Sequence, residues 1–235
     1  MSQLTGNERA IYVHKVFNRI AKRYNLMNRL MTVGQDAHWR SETIRRAQPT
    51  IGANILDLGT GTGDLAREAL FQQPILRVVA ADFNLKMMLV GQKYGSLRWT
   101  NADALHLPFP NNSFDAVVSG FLMRNVGSLT LALMEQNRIL KENGRIVILE
   151  TTRPRLSIFT PFIWIYMHFV IPLIGSMIAG DREAYRYLPA SSESFLYAEE
   201  LADQMSTAGF QNVSYRRLMF GTIAIHWGEK DHSGG

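Results

Sequence analysis

Three closely spaced glycines and three aspartates are the residues whose types and spacing best suit chemistry. In Asn54-Ile-Leu-Asp-Leu-Gly-Thr-Gly-Thr-Gly-Asp64 an apolar run leads straight into Gly59, Gly61 and Gly63, with Thr62 between the last two. Glycines at such a bend let the backbone turn tightly and approach a ligand closely. The N–H groups of a helix that follows then face whatever is bound. A pyrophosphate-binding loop spaces its glycines G-x-G-x-x-G. Here the spacing is G-x-G-x-G, and Asp57 stands just before it. A carboxylate at that point repels a phosphate and attracts a cation.

S-adenosylmethionine carries an ammonium and a sulfonium and no phosphate, so it is the cofactor this loop suits. Val78-Val-Ala-Ala-Asp82 ends a second apolar run. An acid there can accept from both ribose hydroxyls, as it also does in nicotinamide enzymes. Asp103, in Asn101-Ala-Asp-Ala104, follows a third run. It is placed to accept from an adenine amino group, with the Ala104 N–H beside it. Any one of these acids alone reads as a strand-end turn residue. Three in register with a glycine loop point to a cofactor site.

The elements that must position these residues alternate in kind. Strands are predicted over Asn54–Leu58, Leu76–Ala81, Leu97–Thr100, Asp115–Ser119 and Arg145–Glu150. Helices are predicted over Gly63–Gln73, Leu85–Lys93 and Leu129–Lys141, with a further one over Ala198–Ala208 stopped by Gly209. Fully apolar strands alternating with helices mean an α/β fold with a parallel sheet covered on both faces. Val213–Phe220 and Thr222–Trp227 read as a hairpin around Gly221, and Gly228–Gly235 as a loose polar tail. Ahead of the sheet, Val13, Phe17, Ile20, Tyr24, Met27 and Met31 recur in steps of four and three, one apolar stripe on a helix. Residues 1–50 are therefore expected to form a helical arm ended by Pro49 and Gly52, and residues 51–235 the main domain.

Composition narrows the class. The chain has 235 residues, 46% of them hydrophobic and 19% charged, which excludes a disordered chain and a coiled coil. It has no cysteine, which excludes a disulfide scaffold, a thiol nucleophile and a zinc–cysteine site. No metal-ligand cluster is visible. The net charge is +5, and the first fifty residues hold nine Lys/Arg against three acids. Such a basic end fits lipid headgroups or nucleic acid, or is simply a solvated helix face. Met1–Arg9 is polar, so no secretory leader is expected. Residues 156–180 contain no Asp, Glu, Lys or Arg. Their length matches a membrane span, but Pro161, Pro172 and His168 interrupt them, so a buried or lid-like helical pair is expected.

The glycine loop with its three acids resembles class I S-adenosylmethionine-dependent methyltransferases. Tyr24-Asn-Leu-Met-Asn28 with His38-Trp39-Arg40 resembles the N-terminal signature of the ubiquinone/menaquinone-biosynthesis C-methyltransferases. Phe121-Leu-Met-Arg-Asn-Val126, Arg138 to Glu150, and Tyr185-Arg-Tyr-Leu-Pro189 with Ser191 resemble that family's later segments. Three positions depart from the pattern: Asn25 in place of Asp, Thr152 in place of Ser, and Phe195-Leu196 in place of Phe-Pro. Asn25 removes a charge expected near the substrate or the base.

The resemblance implies a Rossmann-like, seven-stranded, mostly parallel sheet with an antiparallel C-terminal hairpin. It implies methyl transfer to a ring carbon of an isoprenoid quinol, demethylmenaquinol giving menaquinol. Asp57, Gly59, Gly61, Thr62, Asp82, Asp103 and Ala104 would hold the cofactor. Arg124 would stabilise a phenolate, since a guanidinium stays protonated and makes a poor base. Asn125 would fix the other oxygen, and His38 is the candidate general base by its pKa class. Tyr24, Tyr185 and Tyr187 would ring the quinone head. The apolar insertion at about 156–190 would accept the tail while the basic arm meets anionic headgroups. That implies a cytoplasmic protein, peripheral at the inner face of the membrane, with no nucleic-acid partner and an oligomeric state left open. A paralogous methyltransferase for another lipid or phenol, and a cofactor-binding sensor or assembly subunit without turnover, are the alternatives.

Overall fold

The computed structural model describes residues 6–155, 158, 160–173, 187 and 190–231. Among them, seven strands form one sheet: β1 (Asn54–Leu58), β2 (Arg77–Asp82), β3 (Arg98–Asn101), β4 (Phe114–Gly120), β5 (Leu140–Thr151), β6 (Phe210–Leu218) and β7 (Ile223–Lys230). Their order is β3-β2-β1-β4-β5-β7-β6. The first five run parallel, and β7 pairs antiparallel with both β5 and β6.

The strands are apolar on both faces because each face carries its own core. Leu56 and Leu58, Val117, and Ile146 and Ile148 pack into one layer. Their sequence neighbours Ile55, Ala116 and Val118, and Val147 and Leu149 pack into the other. This period of two is the strand geometry itself, read twice. Chain order reverses between β1 and β4, and a ligand crevice forms at the carboxyl ends of such a pair. The glycine loop leaves β1 there, and the segment Phe121 to Asn125 leaves β4 there.

The helices are α1 (Gly6–Ile20), α2 (Tyr24–Met31), α3 (Gln35–Ala47), α4 (Asp64–Gln72), α5 (Leu85–Gly91), α6 (Leu129–Ile139), α7 (Thr160–Ile165) and α8 (Ala198–Thr207). The single apolar stripe expected at the N-terminus is thus cut into α1 and α2 by a tight turn at Ala21–Arg23. Another break follows at Val33 and Gly34, where the backbone is left-handed. Trp39, Ile44 and Ala47 of α3 pack into the sheet's second layer. Val16 and Ile20 of α1 and Met27 of α2 form a separate small cluster with Tyr187.

Two boundaries differ from expectation for identifiable reasons. The helix expected to reach Lys141 ends at Ile139, because the chain turns there into a long β5 whose pairing with β4 shifts register after Phe114. The tail expected to be loose from Gly228 stays in β7 through Lys230. Arg145 forms an ion pair with Glu229, and Lys230 Nζ donates to the Leu140 carbonyl (2.8 Å). Of the expected lid, α7 continues through a wider helical turn at Tyr166–Val170. Pro172 follows it and has no N–H for the ordinary helical ladder. The rest of the expected helical pair lies outside the described residues.

Candidate active site

Gly59, Gly61 and Gly63 have φ of 67°, 57° and 86°, so the loop after β1 is left-handed at every second residue. Space matters as much as angle. A Cβ on Gly59 would lie 2.8 Å from Leu122 Cδ1. The Thr60 N–H donates to Ala81 O (3.0 Å) and the Gly63 N–H to Thr60 O (2.8 Å), which ties the loop to β2 and closes it on itself.

Asp57 lies beneath this loop, 1% exposed. Its Oδ2 accepts from the Thr60 hydroxyl and from the Ala66 N–H (2.9 Å). Its Oδ1 is buried with no partner in the protein. Burial pushes the carboxyl up to about 7, further raised by Asp82 and Asp64 and opposed by the hydrogen bonds from Thr60 and Ala66. Asp82 accepts from the Gly61 N–H (2.7 Å) and the Asn84 N–H (2.6 Å), and burial raises its pKa too.

A cavity of about 280 Å³ opens above the loop, lined by Gly59, Gly61, Asp82, Asp103, Ala104 and Asn125 among others. Val13, His14 and Phe17 of α1 roof it. Two carboxylates line it and, among the described residues, no Lys or Arg does. An orphaned, buried carboxylate oxygen beneath an acid-lined cavity fits a cationic cofactor with no phosphate, which is S-adenosylmethionine's chemistry. Asp103 is half exposed and accepts from the Leu105 N–H (2.9 Å).

A second cavity of about 470 Å³ lies beside the first, walled mostly by apolar side chains of α2, α7 and the β6–β7 turn. Tyr24 and Phe121 line both cavities, and both also line a small gap of about 40 Å³ that reaches Asp57. The two chambers therefore share a wall made of these rings. Arg124 lines the apolar chamber, 5% exposed, with its guanidinium carbon 5.4 Å from the Phe121 ring centre. It is ion-paired with Glu150, which is wholly buried, and its own N–H also donates to Glu150 Oε2 (3.2 Å). The Arg124 Nε is buried and has no protein partner. Arg9 of α1 donates to the Arg124 carbonyl.

The structure gathers most of the sequence-predicted site but changes several roles. Asn125 uses its amide internally: Nδ2 donates to Phe121 O (2.9 Å) and Oδ1 accepts from the Tyr187 hydroxyl (2.8 Å). Burial raises the pKa of the Tyr24 and Tyr187 hydroxyls, so both remain protonated donors near neutrality. Thr62 does not line the cofactor cavity. Its hydroxyl donates to Asn25 Oδ1 (2.6 Å), while Asn25 Nδ2 donates to Asp64 Oδ1 (3.2 Å). Asn25 lines none of the three cavities. It fastens α2 to the glycine loop instead. His38 sits exposed on α3 and lines none of these three cavities, because helical spacing turns the adjacent Trp39 inward in its place. The general-base expectation for His38 is corrected on that ground. Tyr185 lies outside the described residues. Sequence reasoning missed Glu150 and His14; the apolar stripe through Val13 and Phe17 was the only signal for the roof.

Comparisons with known proteins bear on the family and the fold. The sequence profile described as the ubiE/COQ5 methyltransferase family matches residues 3–230. A ubiquinone/menaquinone biosynthesis C-methyltransferase UbiE from Desulfotalea psychrophila is 44% identical, over 93% of this chain and 90% of that protein. A demethylmenaquinone methyltransferase from Thermus thermophilus is 41% identical, over 92% of this chain and 100% of that protein. Among solved structures, a SAM-dependent methyltransferase from Thermotoga maritima aligns with a TM-score of 0.66 at 18% identity, covering 92% and 99% of the two chains. The [4+2]-cyclase SpnF aligns at 0.69 and 13%, covering 97% and 96%. These structures establish the class I methyltransferase fold, and the cyclase shows that the fold alone does not name a reaction.

Proposed function

The chain belongs to the ubiE/COQ5 methyltransferase family, and on that premise we propose that it methylates a ring carbon of a demethylated isoprenoid quinol, converting demethylmenaquinol to menaquinol. The observation that carries this reading is the shared wall. An acid-lined chamber suited to a cationic methyl donor and an apolar chamber suited to a greasy acceptor meet at Tyr24 and Phe121.

S-adenosylmethionine supplies, when bound, a methyl group on a positively charged sulfur. Asp82, Asp103 and Ala104 line the chamber that would hold its nucleoside part, and Asp57 and Asp82 supply negative charge toward its cationic end. The acceptor carbon becomes nucleophilic once a neighbouring ring hydroxyl loses its proton to a water molecule, and after methyl transfer the ring carbon's own hydrogen leaves as a proton to restore the aromatic ring. Arg124 lowers the cost of the first of these losses: its fixed positive charge faces the apolar chamber, and its unpartnered Nε–H can donate to the phenolate oxygen. Glu150 holds the guanidinium in place. Tyr24 and Phe121 set the approach of the ring, and α1 and α7 keep bulk water from the two chambers.

The acceptor would be met at a membrane surface. No helix among the described residues is long and apolar enough to cross a membrane. Phe162, Trp164, Ile165, Phe169 and Leu173, on and after α7, are exposed around the apolar chamber's outer side. Leu26, Leu30 and Val33 of α2 and its end are exposed beside Lys22, Arg23 and Arg29. Apolar side chains next to basic ones suit an anionic bilayer face, with the protein peripheral there.

The test is single-turnover transfer from labelled S-adenosylmethionine to reduced demethylmenaquinone in anionic liposomes, with a demethylated ubiquinone precursor in parallel. Label in menaquinone supports the reading. Label only in the benzoquinol keeps the reaction and changes the acceptor. No label in either, with the cofactor still bound, refutes the quinol assignment.

A further inference from the structure

S-adenosylmethionine is not only a cation. Its methionine part also carries an α-carboxylate, and an acid-lined chamber repels that group. Among the described residues, the cofactor chamber's lining holds Asp82 and Asp103 and neither Lys nor Arg. The carboxylate therefore needs a positive partner outside that lining.

The small gap beside the glycine loop has one. Its volume is about 40 Å³. A water molecule needs about 10–15 Å³ of such space, so the gap suits a small polar head group and not a ring. It shares Gly59, Gly61 and Gly120 with the cofactor chamber, and at those positions the division between the two spaces is backbone alone. Asp57 lines the gap and has its Oδ1 unpartnered. Arg40 of α3 lines it too, the only Lys or Arg among the described residues to do so.

Arg40 is held in place by its own surroundings. Trp39 beside it packs into the sheet's second layer. The Arg40 Nη1 pairs with Asp36 (2.8 Å) and Nη2 with Asp64 (3.2 Å), and its side chain is 15% exposed. On the far sides of these acids, Arg29 faces Asp36 (3.6 Å) and Arg67 faces Asp64 (2.7 Å). Three guanidiniums thus alternate with two carboxylates, which leaves the row one net positive charge with Arg40 at its centre. A guanidinium has five N–H groups, so one ion pair at each terminal nitrogen does not exhaust it. Its planar fork is suited to a further carboxylate.

We propose that Arg40 binds the α-carboxylate of S-adenosylmethionine in this gap, with Asp57 beside the α-ammonium. The gap then reads both charges of an amino acid, a positive group against the acid and a negative group against the base. This rests on the cofactor and not on the quinol acceptor. It also gives the arginine of His38-Trp39-Arg40 a place in the site that His38 does not take.

The experiment is calorimetric titration of the whole protein at neutral pH, with no acceptor present, so its result is independent of the quinol reading. Three ligands are compared. S-adenosylmethionine has the carboxylate, decarboxylated S-adenosylmethionine lacks only that group, and methylthioadenosine keeps the nucleoside without the amino-acid part. The acids alone would favour the decarboxylated ligand, which carries one positive charge more. The unaltered protein should nevertheless bind S-adenosylmethionine about tenfold or more tighter than the decarboxylated form. Arg40→Gln should erase or reverse that preference, while the affinity for methylthioadenosine changes by less than about twofold. Arg40→Lys keeps the charge without the planar fork, and its preference should fall between the two. Equal binding of the two charged ligands by the unaltered protein overturns the proposal whether or not either variant folds. A preference that survives both substitutions overturns it as well. So does an equal loss of affinity for all three ligands, which would assign Arg40 to holding the loop. If none of the three binds the unaltered protein, the cofactor assignment fails and the proposal falls with it.

Discussion

Asp57 should make cofactor binding depend on pH, and its substitution by asparagine should remove that dependence. Its carboxyl, pushed up to about 7 by burial, has one oxygen occupied and one without a partner. A cation bound above selects the ionised form. At pH 7 about half the ligand-free molecules carry that form, and at pH 6 about a tenth. The affinity for S-adenosylmethionine should therefore weaken about fivefold from pH 7 to pH 6, and approach tenfold for each further unit. Over this window the donor's own α-amino group stays mostly protonated. Asp57→Asn keeps an acceptor for the Thr60 hydroxyl and the Ala66 N–H, so the loop should hold. The assay is calorimetric titration between pH 5.5 and 7.0, in two buffers of different ionisation heat to count the protons released. His14 lines the same cavity, so His14→Gln is the control for its part. A slope in Asp57→Asn equal to that of the unaltered protein would refute the reasoning.

Arg124→Ala alone strands the wholly buried Glu150 carboxylate, so it should cost about 3–5 kcal/mol in urea unfolding. Adding Glu150→Gln should recover most of that stability without restoring methyl transfer, which separates the chemical role of Arg124 from its packing. His226 is 1% exposed and its pKa is pushed by burial down to about 4. The unfolded chain thus binds the extra proton first, and stability present above pH 6.5 is lost as pH falls toward 4. The loss should reach about 3 kcal/mol, read as urea midpoints against His226→Gln. Asp57 acts in the opposite sense over that window, which is why the comparison is between variant and parent. His38→Ala should leave kcat within about twofold, since surface substitutions outside a site have small effects.

The glycine loop and its three acids were legible because their meaning lies in spacing along the chain. Asp57 and Asp82 lie at the ends of β1 and β2 and Asp103 just past β3, and a parallel sheet brings successive strand ends to one edge. What the sequence could not show were pairings across the sheet. Arg124 and Glu150 are 26 residues apart and meet because β4 and β5 run side by side. Thr62 and Asn25 are 37 apart and meet because α2 lies against the loop, which turns an expected cofactor contact and an expected lost charge into a fastening. His38 was misread because a sequence motif does not say which of two neighbours on a helix faces inward. Positive φ at Val33, Phe121, Met219 and Phe220 was not legible, because Gly34, Gly120 and Gly221 in the same turns are the residues expected to take that conformation.

The acid-lined chamber also bears on how a catalytic cycle ends. Burial raises the Asp57 pKa and repulsion from Asp82 adds to it, and no Lys or Arg among the described residues lines the space above them. A positively charged sulfur relieves that repulsion, and a sulfur that has given up its methyl is neutral. The chamber therefore regains its imbalance at the moment its contents become useless. Discharge of the spent molecule would then be favoured by the chemistry just completed, past α1, whose Val13, His14 and Phe17 lie across the chamber.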